Sequence, residues 1–306
     1  MKKFFYLLLP LLFASCAQQE SPVLSIEGGL VQGVAADIEG VTVYRGIPYA
    51  APPIKELRWK EPQPVVPWEG VKVCDTFGHP GYQAVHYPGG YTTEWGYGDE
   101  SPYSEDCLYL NVWTPAPGKT DAKLPVALWI HGGGYREGWG SEPEFDAQEW
   151  AAKGVVLVSI NYRLGVFGFL THPELSAESP HGVSGNYGIL DQIESLKWIQ
   201  KNIEQFGGDP ANVMIFGQSA GAGSVKTVCE SPLSKGLFNK AVIMSGGGIT
   251  NPNAAPAGRM GMGRGAMTLA DAIARLDELK PNGFSREQKI FWLSTLDAAV
   301  KAEIID

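Results

Sequence analysis

The segment that decides the fold is a nine-residue run in which an apolar strand leads into a glycine-flanked serine. It reads Val213-Met214-Ile215-Phe216-Gly217-Gln218-Ser219-Ala220-Gly221. Its first four residues have the length and character of a buried strand, and the residues after the serine are compatible with a helix. This arrangement predicts a sharp turn that holds the serine hydroxyl above the edge of a sheet. Glycines are needed on both sides of the serine because the strand and the helix approach closely there.

The rest of the chain supplies the strands and helices of such a sheet. Further apolar runs of strand length lie at residues 108–113, 126–131, 155–161 and 241–245. Because these runs are continuous rather than alternating, they predict strands covered on both faces, as in a mostly parallel, doubly wound α/β sheet. Residues 187–205 have the period of an amphipathic helix. Three short runs, at 23–26, 29–34 and 41–46, are separated by glycines and predict an antiparallel hairpin before the main sheet.

A second glycine-rich motif, His131-Gly132-Gly133-Gly134, ends the apolar run at 126–131. When a serine attacks an ester, the carbonyl oxygen becomes an oxyanion that needs preorganised N–H donors. Glycines allow the backbone to turn its amides inward with no side chain in the way. We therefore expect Ser219 to be the nucleophile, and Gly133, Gly134 and Ala220 to donate to the oxyanion.

Five other segments occur here in the order and spacing of one family. They are Tyr44-Arg45-Gly46-Ile47-Pro48-Tyr49-Ala50, Ser104-Glu105-Asp106-Cys107-Leu108-Tyr109-Leu110-Asn111-Val112, Asn161-Tyr162-Arg163, Gly185-Asn186-Tyr187-Gly188 and Phe206-Gly207-Gly208-Asp209-Pro210. With the serine motif, they make residues 23–248 resemble the type-B carboxylesterases, which include para-nitrobenzyl esterases and cholinesterases. The resemblance implies an α/β-hydrolase fold that acts on small-molecule carboxylic esters without a cofactor or a metal. Gln218 stands where cholinesterases have Glu, which argues against a choline ester as substrate.

The resemblance also implies roles for residues away from the serine. Cys74 and Cys107 correspond to the first disulfide of the family, and such a bridge would stabilise the fold by roughly 3–4 kcal/mol. Glu105 and Asp106 would hold N-terminal segments through ion pairs. Cys229 has no partner in this scheme and is expected to be a small buried residue within a helix.

The first residues predict an export signal rather than part of the fold. Lys2 and Lys3 precede a short apolar run that ends near Cys16, and this run is too short to cross a membrane. Residues 1–16 resemble a bacterial lipoprotein signal with Cys16 as the lipidated N-terminus. Residues 17–22 would then form a tether, and residues 23–306 a partial α/β-hydrolase domain. An ordinary signal peptide cut nearby is the alternative. Both predict export, to a lipid-anchored place in a bacterial cell envelope or to the periplasm or medium.

Composition restricts the partners. The formal net charge of −9 argues against nucleic acid and anionic lipid surfaces. Contact with a membrane is therefore expected only through a lipid on Cys16. With 44% apolar and 19% charged residues, the chain has the composition of an ordinary globular protein.

The catalytic base is the feature that the sequence does not supply. The triad of this fold runs in the order serine, acid, histidine, but all five histidines (His79, His86, His131, His172 and His181) precede Ser219. Residues 246–266 predict a loop, and 268–280 and 286–303 predict two helices, with no further strand. We favour a fragment that lacks the C-terminal part of the fold, inactive on its own and with an unpaired sheet edge after 241–245. The alternatives are an esterase completed by a second polypeptide and a non-catalytic surface binding protein of the same fold.

Overall fold

The computed structural model describes residues 21–83 and 102–246, which form a seven-stranded main sheet, a three-stranded sheet and the helices packed on them. The strands are β1 (Val23–Ile26), β2 (Gly29–Gln32), β3 (Val34–Ala35), β4 (Thr42–Pro48), β5 (Val71–Val73), β6 (Tyr109–Thr114), β7 (Leu124–Ile130), β8 (Val156–Ile160), β9 (Gly208–Gln218) and β10 (Lys240–Met244). The α-helices are α1 (Gln148–Ala152), α2 (Gly165–Phe169), α3 (Pro173–Glu178), α4 (Tyr187–Asn202) and α5 (Ala220–Glu230). Short 3-10 turns lie at Lys55–Leu57, Pro143–Phe145, Ile203–Phe206 and Pro232–Ser234.

The main sheet has the strand order β10-β9-β7-β8-β6-β4-β3, and its first four strands are parallel. In the register of β7 and β9, Ile130 lies opposite Gly217, and in that of β9 and β10, Gln218 lies opposite Met244. Because parallel strands end at the same edge, the chain leaves β7 and β9 side by side. The glycine motif and the serine motif are therefore neighbours, although 85 positions separate them.

The antiparallel part of the sheet is larger than the sequence predicts. β6 runs antiparallel to both of its neighbours, β8 and β4, and β4 is antiparallel to β3. The sheet is thus mixed rather than mostly parallel. The strand β6 is buried from Leu110 to Thr114. Its continuous apolar run therefore predicted a strand of a mostly parallel sheet, because such a run indicates burial on both faces and carries no information on strand direction.

The predicted N-terminal hairpin is present. β1 and β2 pair antiparallel, with Ile26 opposite Gly29, and β5 adds to β2 in parallel as a separate small sheet. The third short run, at 41–46, instead joins the main sheet as β4. Between β4 and β5 the proline-rich segment contains only the turn Lys55–Leu57, because prolines remove backbone donors.

Helix α4 covers one face of the main sheet and carries the predicted apolar stripe. Ile193, Leu196 and Ile199 are each at most 2% exposed and pack into the main core. A buried ion pair joins this helix to the segment after β8: Arg163 donates to Asp191 through Nε at 2.8 Å and NH2 at 2.6 Å. A second core cluster is formed by side chains that point to the opposite face of the main sheet. It includes Trp113, Trp129, Leu157 and Phe216.

Strand β10 is the last strand of the sheet within residues 21–83 and 102–246. Val242 and Ile243 are 41% and 47% exposed there. A cleft of about 370 Å³ lies beside β10, lined by aromatic residues that include Trp129, Trp150 and Phe216. In the described part of the chain, this edge of the sheet is thus apolar and has no further strand beside it.

The predicted disulfide is not formed, since Cys74 and Cys107 are free buried thiols in the structure. The Cys74 thiol points to the Lys72 carbonyl oxygen, at 3.6 Å. Gly81 lies near the Cys107 sulfur, since a Cβ added to it would be 3.6 Å away. Burial raises the pKa of the Cys74 thiol to about 12 and that of Cys107 further. Cys229 is also free but exposed, not buried as expected.

Other predictions lie outside the described residues. These are the signal, with Cys16 and most of the tether, the loop at 246–266 apart from its first residue, and the helices at 268–280 and 286–303. Among the helices that the structure does describe, none has the length and apolarity needed to cross a bilayer.

The Arg58–Glu105 ion pair, with bonds of 2.5 Å, confirms the expected structural role of Glu105.

Candidate active site

Ser219 occupies the turn between β9 and α5 in a strained backbone conformation. Its φ of 57° and ψ of −119° lie in a region that residues with a Cβ rarely adopt, at a typical cost of about 1–3 kcal/mol. Two backbone hydrogen bonds hold it there: its amide donates to the Met244 carbonyl at 2.9 Å, and its own carbonyl accepts from the Gly223 amide at 3.1 Å. The side chain of Ser219 is exposed and makes no hydrogen bond to any described residue.

The two glycines of the serine motif are required by close backbone approach. A Cβ on Gly221 would lie 2.1 Å from the Ile130 carbonyl oxygen, and a Cβ on Gly217 would lie 2.6 Å from the Gly221 carbonyl carbon. Both distances are far below contact. Helix α5 therefore crosses directly over the ends of β7 and β9, which aims its N-terminus at the serine.

The glycine motif forms the start of a loop, residues 131–138, which we call the oxyanion loop. Gly133 and Gly134 have φ values of 91° and 62°, which favour glycine. The loop lies against the serine, because a Cβ on Gly132 would be 3.3 Å from the Ser219 Cβ. Within residues 21–83 and 102–246, the amides of Gly133, Gly134 and Ala220 donate to no other group. Three N–H groups without another described acceptor thus occur in the loop that lies against Ser219 and in the residue that follows it.

His131 supports the oxyanion loop from beneath. The side chain is fully buried, its ring stacks on Tyr162 with centroids 4.3 Å apart, and Tyr162 donates to the His131 carbonyl at 2.9 Å. Its Nδ1 lies 3.0 Å from the Gly132 carbonyl oxygen. Since a carbonyl only accepts, Nδ1 must carry the hydrogen, and Nε2 is buried without a partner. Burial lowers the pKa of His131 to about 4, so the ring is neutral at physiological pH and positions the loop.

Two side chains that sequence reasoning missed fix the far end of the loop. Gln83 accepts from the Gly138 amide at 2.9 Å and donates back to the Gly138 carbonyl at 3.2 Å. Asn161 accepts from the Gly140 amide at 2.7 Å. Asn161 begins the Asn161-Tyr162-Arg163 segment, so a signal for it was present. Gln83 had none, because only the fold brings residue 83 next to residue 138.

The described histidines do not provide a base for Ser219. His172 Nδ1 accepts from the Glu174 amide at 3.3 Å and so begins α3. His181 lies 3.3 Å from Glu61 at the surface. His79 contributes a carbonyl, which accepts from Asn161 at 3.0 Å. His86 lies outside the described residues. Nor does any described cluster of His, Cys, Asp and Glu have the geometry to hold a metal ion.

Comparison with known proteins assigns this arrangement to a family. The model of the carboxylesterase family matches residues 20–274. The chain belongs to the carboxylesterase family. The match contains both the serine motif and the oxyanion loop.

Curated relatives of the chain are esterases of about twice its length. It is 40% identical over 296 residues to the fumonisin B1 esterase of Sphingopyxis macrogoltabida, an alignment that covers 94% of this chain and 48% of that protein. It is 42% identical over 229 residues to the para-nitrobenzyl esterase of Bacillus subtilis (strain 168), covering 74% of this chain and 44% of that protein. The chain therefore spans about half the length of these relatives.

Solved structures confirm the α/β-hydrolase fold. A para-nitrobenzyl esterase structure superimposes with a TM-score of 0.66 at 35% identity, covering 93% of this chain and 53% of that one. A carboxylesterase of Geobacillus stearothermophilus gives a TM-score of 0.62 at 42% identity, covering 72% and 43%. The mixed sheet of this carboxylesterase chain is thus the fold that the resemblance implies.

Proposed function

We propose that this carboxylesterase chain carries the nucleophile and the oxyanion hole of a serine esterase that hydrolyses small-molecule carboxylic esters. One observation carries the proposal. The exposed Ser219, held on a strained turn, lies against the oxyanion loop at Gly132, and the amides of Gly133, Gly134 and Ala220 donate to no other described group. Strain that persists at an exposed serine supports a functional reading, because a turn with no such role would relax.

The proposed reaction is acyl transfer in two steps. The Ser219 oxygen attacks the ester carbonyl carbon, and the carbonyl oxygen becomes an oxyanion that the three amides stabilise. The carbon–oxygen bond to the alcohol then breaks, which leaves an acyl group on Ser219. Water attacks this acyl-enzyme in the second step and releases the acid. Each amide donor of such a site typically contributes about 3–4 kcal/mol to the first barrier.

Both steps need a group that accepts a proton, from Ser219 and then from water. The neutral His131 is unsuited to this role, because its pKa of about 4 makes it a weak base and its Nδ1 is engaged with Gly132. We propose that the base and its acid partner come from a further part of the protein or from a second polypeptide, since the relatives are about twice as long. The described residues alone should react only slowly.

Acetylation of Ser219 by p-nitrophenyl acetate tests the proposal on this chain. The leaving group is good enough for the oxyanion hole to act without a base, and sites that lack a triad member retain roughly 10³–10⁴-fold catalysis over water. Deacylation also needs a base, so we expect the acetyl-enzyme to accumulate and to be visible by intact mass spectrometry. Peptide mapping should place the acetyl group on Ser219.

Two variants complete this test. Ser219→Ala should abolish the modification, and the matched control Ser25→Ala, at an exposed serine on β1, should leave it unchanged. Added imidazole should speed acetylation of the wild type and not of Ser219→Ala, because it supplies the missing base. No acetylation, or acetylation elsewhere in the wild type, would refute the proposal and favour a non-catalytic binding protein.

The names of the relatives guide the choice of substrates. Para-nitrobenzyl acetate and fumonisin B1 are the two esters to compare, because relatives at 42% and 40% identity are named for them. The protein should be assayed together with the part or polypeptide that supplies its base. Release of the alcohol or acid from one of the two esters would indicate a substrate preference like that of the relative named for that ester. Release of neither would restrict the proposal to activated esters.

We also propose that the protein is exported and carries a lipid on Cys16. The proposal rests on Lys2, Lys3, the apolar run that follows them and the position of Cys16. Expression in a bacterium with labelled palmitate should label the wild type and not Cys16→Ser. Cleavage without label would favour the ordinary signal peptide.

A further inference from the structure

Tyr135 is the residue of the oxyanion loop with the most unusual backbone. It follows Gly133 and Gly134 and continues their left-handed path, with a φ of 61°. Unlike the glycines, it has a Cβ, so this conformation is strained. Its carbonyl accepts from the Gly165 amide at 2.7 Å, at the start of α2. A strained non-glycine residue is kept only where its surroundings hold it firmly.

The side chain of Tyr135 extends from the oxyanion loop to the nucleophile helix α5. Its hydroxyl oxygen lies so close to Gly223 that a Cβ added there would be 2.5 Å away. It lies beside Ser224, which is fully buried. On its other side, the ring packs against Phe169 with centroids 5.1 Å apart.

Ser224 continues the connection into α4. The Gln192 Nε2 donates to the Ser224 Oγ at 3.0 Å, and Gln192 is also fully buried. Since the Ser224 oxygen accepts from Gln192, its own hydrogen is left to donate to the Tyr135 oxygen. Neighbouring polar groups thus connect α4 through α5 to the oxyanion loop.

We propose that Tyr135 is a positioning residue for the oxyanion hole. Its hydroxyl fixes the oxyanion loop on α5, so that the amides of Gly133 and Gly134 converge with that of Ala220. The inference rests on the proposed function, because it assigns a purpose to the same three amides. It extends that function by one residue beyond Ser219 and the three amides.

The acetylation assay tests this inference through its rate and its endpoint separately. Tyr135→Phe removes only the hydroxyl and should lower the rate constant for acetylation of Ser219 about 10-fold, since small misplacements of catalytic groups are costly. The fraction of protein finally acetylated should equal that of the wild type. A variant that merely folds less well would instead lower the endpoint and keep the rate constant of the folded fraction.

Ser224→Ala removes the same contact from the side of the helix and should slow acetylation similarly. The double variant should be no slower than the slower single variant, because both changes remove one interaction. Tyr44→Phe is the matched control: Tyr44 is a buried tyrosine whose hydroxyl lies 3.1 Å from the Ser21 Oγ, far along the chain from the loop. Its rate constant should stay within about twofold of the wild type.

The outcomes separate the two proposals. A wild type that is not acetylated on Ser219 refutes the proposed function, and the inference fails with it. A wild type that reacts, with a Tyr135→Phe rate constant within about twofold of it, refutes the inference alone. Additive effects of Tyr135→Phe and Ser224→Ala, or a loss confined to the endpoint, would also overturn it.

Discussion

Replacing Gly221 by Ala should destabilise the protein markedly, although alanine is the better helix former. The added Cβ would lie 2.1 Å from the Ile130 carbonyl oxygen and 2.7 Å from that of His131. A Cβ is essentially never found within 3.0 Å of a heavy atom outside its own and the adjacent residues, so α5 would have to move about 0.9 Å away from β7. Both obstacles are backbone atoms of a central strand and the residue after it, which cannot rotate aside.

The magnitude follows from two opposing terms. Overpacking in a rigid site typically costs about 1–3 kcal/mol, and contacts with backbone place this one at the upper end. Helix propensity returns up to about 1 kcal/mol for Gly→Ala. We therefore expect the free energy of unfolding to fall by about 2 kcal/mol, which corresponds to a melting temperature lower by roughly 4–8 °C for a domain of this size.

Urea and thermal unfolding of Gly221→Ala and Gly223→Ala measure this difference. Gly223 is the matched control on the same helix, because a Cβ there would meet the Tyr135 hydroxyl, the far end of a side chain. Its variant has to displace that hydroxyl from α5 but moves no backbone, so it should lose less stability than Gly221→Ala. If Gly221→Ala were as stable as the wild type, or no worse than Gly223→Ala, the close approach of α5 and β7 would be refuted.

Three further predictions concern the buried groups around the site. Burial lowers the pKa of His131 in the folded protein from 6.5 to about 4. Between pH 6.5 and 4 the unfolded chain binds a proton that the folded protein does not, so the free energy of unfolding should fall by roughly 3 kcal/mol as the pH is lowered over this range. In urea titrations, the variant His131→Gln should lose this pH dependence. Arg163→Met leaves Asp191 buried and unpaired and should cost about 3–5 kcal/mol. Lys60→Met, at an exposed ion pair with Glu178, should cost much less, and equal losses would contradict the buried pair. Iodoacetamide should alkylate the exposed Cys229 in the folded protein. It should alkylate the buried Cys74 and Cys107 only after the protein is unfolded, and no reductant should be needed. A disulfide-linked peptide that contains both Cys74 and Cys107 would show instead that the two cysteines are paired.

The elements next to the site were largely predictable from the sequence. The apolar runs before Ser219 and His131 gave β9 and β7, and the glycines after them gave the two turns. These predictions succeeded because each depends on a local property: burial needs apolar residues, and a left-handed or crowded turn needs glycine. The direction of β6 was not predictable in this way, because pairing direction depends on the path of the chain and leaves no mark on a buried strand.

The cysteines show the same limit more sharply. Cys74 and Cys107 have a suitable separation along the chain, yet both are free thiols, and Gly81 lies near the Cys107 sulfur. Cys229 lies in a helix, as predicted, but on its exposed side. Spacing restricts which residues could meet, and only the packed structure selects those that do.

What the sequence by itself determined is the identity of the chemical groups: a serine on a strand-to-helix turn, a glycine loop after a neighbouring strand, and the absence of a histidine after Ser219. Only the tertiary structure decided how these groups are held. The neutral state of His131 comes from its complete burial, and the close approach of the Tyr135 hydroxyl to Gly223 joins residues 88 positions apart. Local pattern encodes backbone conformation and burial, whereas desolvation and long-range hydrogen bonds arise only when distant segments pack together.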